Sequence, residues 1–361
     1  MPFRVVACDV VPPSVRAPLA LASLLLATPA LSGQTGSAPS DTPLVAPGAA
    51  LEKVWCCGVF LEGPAAAPDG TIYFTDVTGS HNYVGRPTEM LGGVIRRFDP
   101  KTEATTVYQS PSGNATGIDF GPDGSMYVTY AANLGTRLVT RTDMATGLGY
   151  VVAYRYRGRP YNSPNDLAVD SRGRVFFSDP RYIGDEPIEQ PVLGVYRVDP
   201  DGSPHLLTAD LGKPNGVALS PDEKTLYVAS VGKSETAPLP EPVPTRSALE
   251  AITAYDLHED GSLTFRRTLV DFMAPRGKPE TNGPDGIDTD TSGNIWATQG
   301  NWKAVVAFDP EGNELGRIPL PEGAANLEFG RGEESDVLYI TGRTALYRVK
   351  VKARGWHVGE R

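Results

Sequence analysis

Glu62-Gly63-Pro64, then Pro68-Asp69-Gly70 and Thr71-Ile72-Tyr73-Phe74-Thr75, write an apolar stretch, a tight turn and a second apolar stretch, and the chain repeats this pattern six times. The other copies open at Thr116-Gly117-Ile118, Asn165-Asp166-Leu167, Asn215-Gly216-Val217, Asp285-Gly286-Ile287 and Ala325-Asn326-Leu327. Successive copies start roughly fifty residues apart, a period that fits four short strands per repeat, as in propeller blades. The turns agree. Pro122-Asp123-Gly124, Ser171-Arg172-Gly173, Pro221–Lys224 and Thr291-Ser292-Gly293 close the first hairpin of their repeats, and Asp199–Gly202, Glu259–Gly261 and Asp309–Asn313 close the second. Gly supplies positive φ there, and Asp, Asn and Ser bond their own backbone. The expected fold is all-β: a six-bladed β-propeller with four antiparallel strands per blade.

The last repeat supplies only three strands, around Asn326–Phe329, Val337–Thr341 and Ala345–Val351. Glu52–Cys56, before the first repeat, is expected to complete that blade, so that no open sheet edge is left at the ring's seam. Blade geometry also gives the ring two different ends. Both tight turns of a blade lie at one end, and the long irregular segments Val77–Gly92, Tyr130–Thr136, Pro180–Leu193, Val231–Ala248 and Phe272–Pro284 lie at the other. Variable loops carried at one end of a rigid scaffold are where a site belongs. Ser234–Ser247 is either a lid or a solvated excursion.

Composition narrows the partners. The 361 residues carry a formal net charge of −10 with no basic stripe, which disfavours nucleic acid and anionic membranes and suits a cation or a small polar ligand. Arg4 and Arg16 precede an apolar stretch, Ala17–Ala30, that is too short to span a bilayer, so residues 1–32 read as a secretory signal and the chain as exported, periplasmic or secreted. The other reading of this segment is a disordered tail or a misplaced start. Residues 33–50 read as a flexible linker and 51–361 as the propeller domain. Cys56 and Cys57 are adjacent, so they are either two free thiols or a strained vicinal disulfide.

Function is sought where the six copies disagree, at their first position. Glu62, Asn165, Asn215 and Asp285 begin innermost strands at the loop end and converge on the axis, while Thr116 and Ala325 are weak or missing donors. Two carboxylates and two carboxamides form an oxygen cage suited to one divalent cation, Ca²⁺ first, with Zn²⁺, Mn²⁺ or Mg²⁺ as alternatives. Asn and Asp before Gly also serve simply as turn formers, but Glu62 does not. His81 is a substrate contact or a solvated loop residue, Arg181, Tyr182, Asn301 and Trp302 are candidate pocket wall, and His205, His258 and His357 are expected at the surface. Asp288-Thr289-Asp290-Thr291-Ser292-Gly293 resembles the start of an EF-hand loop, but Gln299 stands where the closing Glu belongs, so it is read as a hairpin. Neither GxSxG nor HExxH occurs.

Glu62-Gly63-Pro64, Asn162-Ser163-Pro164-Asn165-Asp166, Pro214-Asn215-Gly216 and Gly283-Pro284-Asp285-Gly286, in that order, resemble the family of gluconolactonase, regucalcin (senescence marker protein) and luciferin-regenerating enzyme. The resemblance covers roughly residues 51–351. It implies a six-bladed propeller holding one divalent cation and hydrolysing sugar-type lactones. It also implies Glu62, Asn215 and Asp285 as metal ligands, Asp285 as catalytic base, and Asn165 as substrate contact or extra ligand. Ser163 departs from the pattern, since animal members carry Arg there. The alternatives are a non-catalytic exported Ca²⁺- or sugar-binding propeller and a paraoxonase-like esterase, with the oligomeric state left open.

Overall fold

The computed structural model describes residues 42–77, 92–231, 250–272, 283–301 and 303–360. The segment read as a signal, His81, Trp302 and the 234–247 insertion lie outside these residues. Six four-stranded antiparallel sheets account for nearly all the regular structure, and a two-stranded hairpin at Arg155–Tyr156 and Arg159–Pro160 stands between the second and third. The innermost strands are Leu61–Ala66, Ala115–Phe120, Leu167–Val169, Pro214–Leu219, Pro284–Thr289 and Ala324–Phe329. Each touches the next, and the sixth touches the first, which closes the ring.

Burial explains why these sequences form blades. The second strands, such as Ile72–Asp76 and Val175–Asp179, are buried along their whole length, whereas the outermost strands, such as Ala104–Gln109 and Gly149–Ala153, are largely exposed. The apolar core is divided among the junctions between blades. Tyr73 and Ile95 of the first blade pack with Ile118 and Val128 of the second, Val139 with Phe177 and Tyr196 across the next junction, and Phe74 and Phe98 with Tyr339 and Leu346 across the seam. Because the core lies between blades, the axis is left for polar groups.

The seam closes as expected. Glu52–Cys56 pairs antiparallel with Ala345–Lys350, placing Lys53 opposite Tyr347 and Trp55 opposite Leu346. Arg348 ties the seam electrostatically, reaching Glu52 and Glu103 at 2.7 Å each. The flexible linker expected over residues 33–50 needs correction at its end. Leu44 and Val45 are buried against the last blade, Val45 bridges Val351, and Ala46 N–H donates to the Lys350 carbonyl, so the folded domain reaches back to residue 42.

Candidate active site in the axial channel

At the start of five innermost strands the register slips, between Glu62 and Ala65, Ala115 and Ile118, Pro214 and Val217, Pro284 and Ile287, and Ala324 and Asn326. These bulges release the opening residues of each repeat from regular pairing and re-aim their side chains. Neighbouring blades then hold the irregular backbone. The hydroxyls of Thr75, Thr129 and Thr298 donate to the carbonyls of Thr116, Asn165 and Ala325, each in the following blade. The repeat's second position is Gly in four copies because the backbones touch. A Cβ on Gly63 would overlap the Thr116 carbonyl oxygen, and one on Gly216 that of Asp285.

Glu62, Asn215 and Asp285 are brought together. Asn215 Nδ2 donates to Asp285 Oδ1 at 2.5 Å. Burial, with the nearby Asp285 and Asp166 carboxylates, pushes Glu62 well above the usual carboxylate range, against hydrogen bonds from Gly63 N–H and the Asn326 side chain. Burial and the Asp166 charge push Asp285 up to about 7. Like charges buried together disfavour full ionisation.

Sequence reasoning missed Asp166 and Asn326. Blades three and six face each other across a six-membered ring, and theirs are the two repeats whose second position is not Gly. The Asn326 amide lies beside the Glu62 and Asp166 carboxyls and favours the ionised form of each, while Asp166 accepts Val217 N–H at 3.1 Å. Reaching in from opposite blades, the two side chains form a bar across the axis and line the cavity on its hairpin side. The clue lay in the column beside the one that attracted attention.

The remaining candidates divide. Asn165 does not begin a strand as expected but lies two residues ahead of Leu167–Val169, half-buried, its backbone bonded to Ser178, Gly117 and Thr129. Tyr182 lies with the site: burial and the charges of Asp285, Glu62 and Asp166 raise its phenol well above the ordinary value, and its hydroxyl donates to the Pro214 carbonyl. Lys213, also missed, is buried with its ammonium 5.8 Å from the Tyr182 ring, and burial lowers it to about 8. Arg181 is buried, and its guanidinium donates to the carbonyls of Gly184, Glu186 and Pro187, so it braces its own loop. Ser163 is buried and accepts Ala132 N–H at 3.0 Å. Asn301 is exposed.

Below the bar, a second group of acids faces a cavity of about 60 Å³. Burial is the main cause that raises Asp119 to about 6, Asp166 and Asp288 to about 7, and Glu328 well above its ordinary range. The chain's tail plugs this end with Trp356, His357 and Val358. His357, expected at the surface, is therefore buried. Its Nε2 donates to the Gly330 carbonyl at 3.0 Å and its Nδ1 lies 3.3 Å from Glu328 Oε1. His205 and His258 do sit at the edge, half-buried and exposed respectively. Asp290 caps its turn through Ser292 and Asn294 N–H, so the EF-hand-like segment is a hairpin.

No group of three or more His, Cys, Asp or Glu side chains among the described residues is arranged to hold a metal ion. The loop end of the axis offers a different donor set, in which Glu62 and Asp285 stand beside the amides of Asn215 and Asn326. Buried carboxylates that repel one another, beside neutral oxygen donors, fit a hard cation in their chemistry.

Residues 60–344 match the model of the SMP-30/Gluconolactonase/LRE-like region. The chain belongs to this family. Among its relatives, a gluconolactonase of Zymomonas mobilis is 32% identical over 73% of this chain and 73% of its own length. A pentonolactonase of Haloferax volcanii is 28% identical over 78% and 80%. A solved gluconolactonase from Xanthomonas campestris superposes with a TM-score of 0.68 at 27% identity, over 87% of this chain and 96% of that one. A luciferin-regenerating enzyme, at 17% identity and a TM-score of 0.64, shares the fold. Family membership bears out the resemblance carried by the ordered motifs.

Proposed function

We propose that this protein is a carboxylic ester hydrolase that opens a sugar-type lactone at the loop end of the axis, with a divalent cation, Ca²⁺ first, held by Glu62, Asn215 and Asp285. The observation that carries this reading is the joining of those three side chains at the loop end of a ring whose relatives are named as lactonases. A bound cation would polarise the lactone carbonyl and offset the crowded carboxylates. Asp285 is the base that takes the proton of the attacking water. Its carboxylate stands beside the proposed cation, placed to take the proton of a water held there. Asn215 fixes the orientation of that carboxylate through its amide. Tyr182 walls the site, and the Asp166–Asn326 bar keeps the substrate above the lower acids. Asn165 is a substrate contact or an additional ligand.

The buried Ser163, whose Oγ accepts Ala132 N–H, supplies no charge for a polyhydroxylated ring, so an aldonolactone is one member of the panel rather than its assumed winner. The test is proton release from sugar lactones, aliphatic lactones and aryl esters, before and after chelation and with Ca²⁺, Zn²⁺ or Mn²⁺ restored. Lactone turnover lost on chelation and restored by a cation is expected. Silence across the panel despite tight Ca²⁺ binding overturns the enzyme reading, and a preference for aryl esters overturns the substrate class. Export rests on Arg4, Arg16 and Ala17–Ala30 and is checked by fractionating cells that express the full chain.

A further inference from the structure

The lactone chemistry leaves the two seam cysteines unused. Cys56 ends the closing strand opposite Ala345, and Cys57 follows it at φ 81, a left-handed conformation that is strained for a residue with a side chain. Both flanks are pinned. Gly58 N–H donates to the Thr344 carbonyl and Leu61 N–H to that of Arg343, while Val59 and Phe60 N–H donate to the Asp76 carboxylate. Successive side chains of an extended strand point to opposite faces, which would hold neighbouring thiols apart. The turn at Cys57 undoes that alternation. The sulfurs lie 2.7 Å apart, inside van der Waals contact, and both residues are exposed.

We propose that Cys56 and Cys57 are a reversible redox site that closes to a vicinal disulfide by exchange with a low-molecular-weight disulfide. One cysteine thiolate attacks the small disulfide, forming a protein mixed disulfide and releasing one small thiol. The neighbouring thiolate then attacks the protein sulfur of that mixed disulfide and expels the second small thiol. The cysteine pair loses two electrons and two protons, and the small disulfide gains them as two thiols. Adjacent Cα atoms sit about 3.8 Å apart, below the span an ordinary disulfide prefers, so the closed form is strained and, being exposed, readily reduced. Closing the ring changes the backbone at Cys57, where the seam strand turns toward Glu62.

The test incubates the full chain with glutathione disulfide and maps the tryptic fragment 54–96, which separates this pair from Cys8. The expected product is that fragment lighter by two hydrogens, carrying no adduct, with both thiols restored by dithiothreitol. Cys57→Ser should stop at a stable glutathione adduct on Cys56. A persistent adduct on the wild-type fragment, a cross-linked dimer, or two thiols that remain alkylatable would each overturn the proposal. Thermal midpoints are expected to differ between the oxidised and reduced wild-type forms, and equal midpoints overturn the link to the seam.

Discussion

Asp285 and Asn326 carry the sharpest tests at the scale of single residues. Asp285→Asn keeps the shape of the side chain and removes the base, so hydrolysis should fall by about a hundredfold or more with the circular dichroism spectrum unchanged. Activity close to wild type would remove Asp285 from the chemistry. Asn326→Ala deletes the amide that favours the ionised form of both Glu62 and Asp166, leaving two buried carboxyls without their shared polar neighbour. A lost hydrogen bond to a charged group is worth about 1.5–3 kcal/mol, so kcat/KM should drop about tenfold or more. An unchanged kcat/KM would mean that the bar does not position Glu62. These two residues also show how far the sequence could be read. Asp285 was legible because the first column of the repeat varies, whereas Asn326 stands one place later, where four glycines hide the exception. That second column becomes informative only once the backbones are known to touch there.

The repeat is a second strand locked to its neighbour as much as a strand in its own blade. Thr129 shows the device: its hydroxyl donates to the Asn165 carbonyl at 2.5 Å and accepts Gly117 N–H at 2.9 Å, with the side chain fully buried. Thr129→Val keeps the volume and removes both bonds, leaving the buried Gly117 N–H and Asn165 carbonyl only the bond they make to each other. The expected cost is about 2 kcal/mol, read as a lower midpoint in urea at an unchanged m-value. A midpoint equal to wild type would show that the inter-blade bond adds nothing. Strand number, turn positions and the closing strand were all legible here, because hairpin chemistry and apolar alternation are local. The use of the threonine hydroxyls and the buried ends at Leu44 and His357 were not, since each depends on a partner far away in the chain.

In the whole molecule the axial cavity at the hairpin end is plugged by Trp356, His357 and Val358, and the plug sets a pH dependence. The Gly330 carbonyl can only accept, so His357 Nε2 carries the proton and the neutral ring's Nδ1 is an acceptor. Glu328, 3.3 Å away, must then be the donor and hold its proton, in keeping with burial and the Asp288 and Asp119 charges raising it well above 4.5. A carboxyl raised in the folded state gives stability that is complete below its unfolded value and is lost as pH rises through its folded value. His357 works the other way. Depressed by burial to about 3, it loses stability as pH falls below about 6.5, and it does so whether or not Glu328 can ionise. Glu328→Gln retains a donor to His357 and cannot ionise. The thermal midpoint of Glu328→Gln minus that of wild type should therefore climb steadily from pH 4.5 to pH 8, measured at constant ionic strength. A difference that stays flat across that range would mean that Glu328 does not hold the plug as a neutral acid.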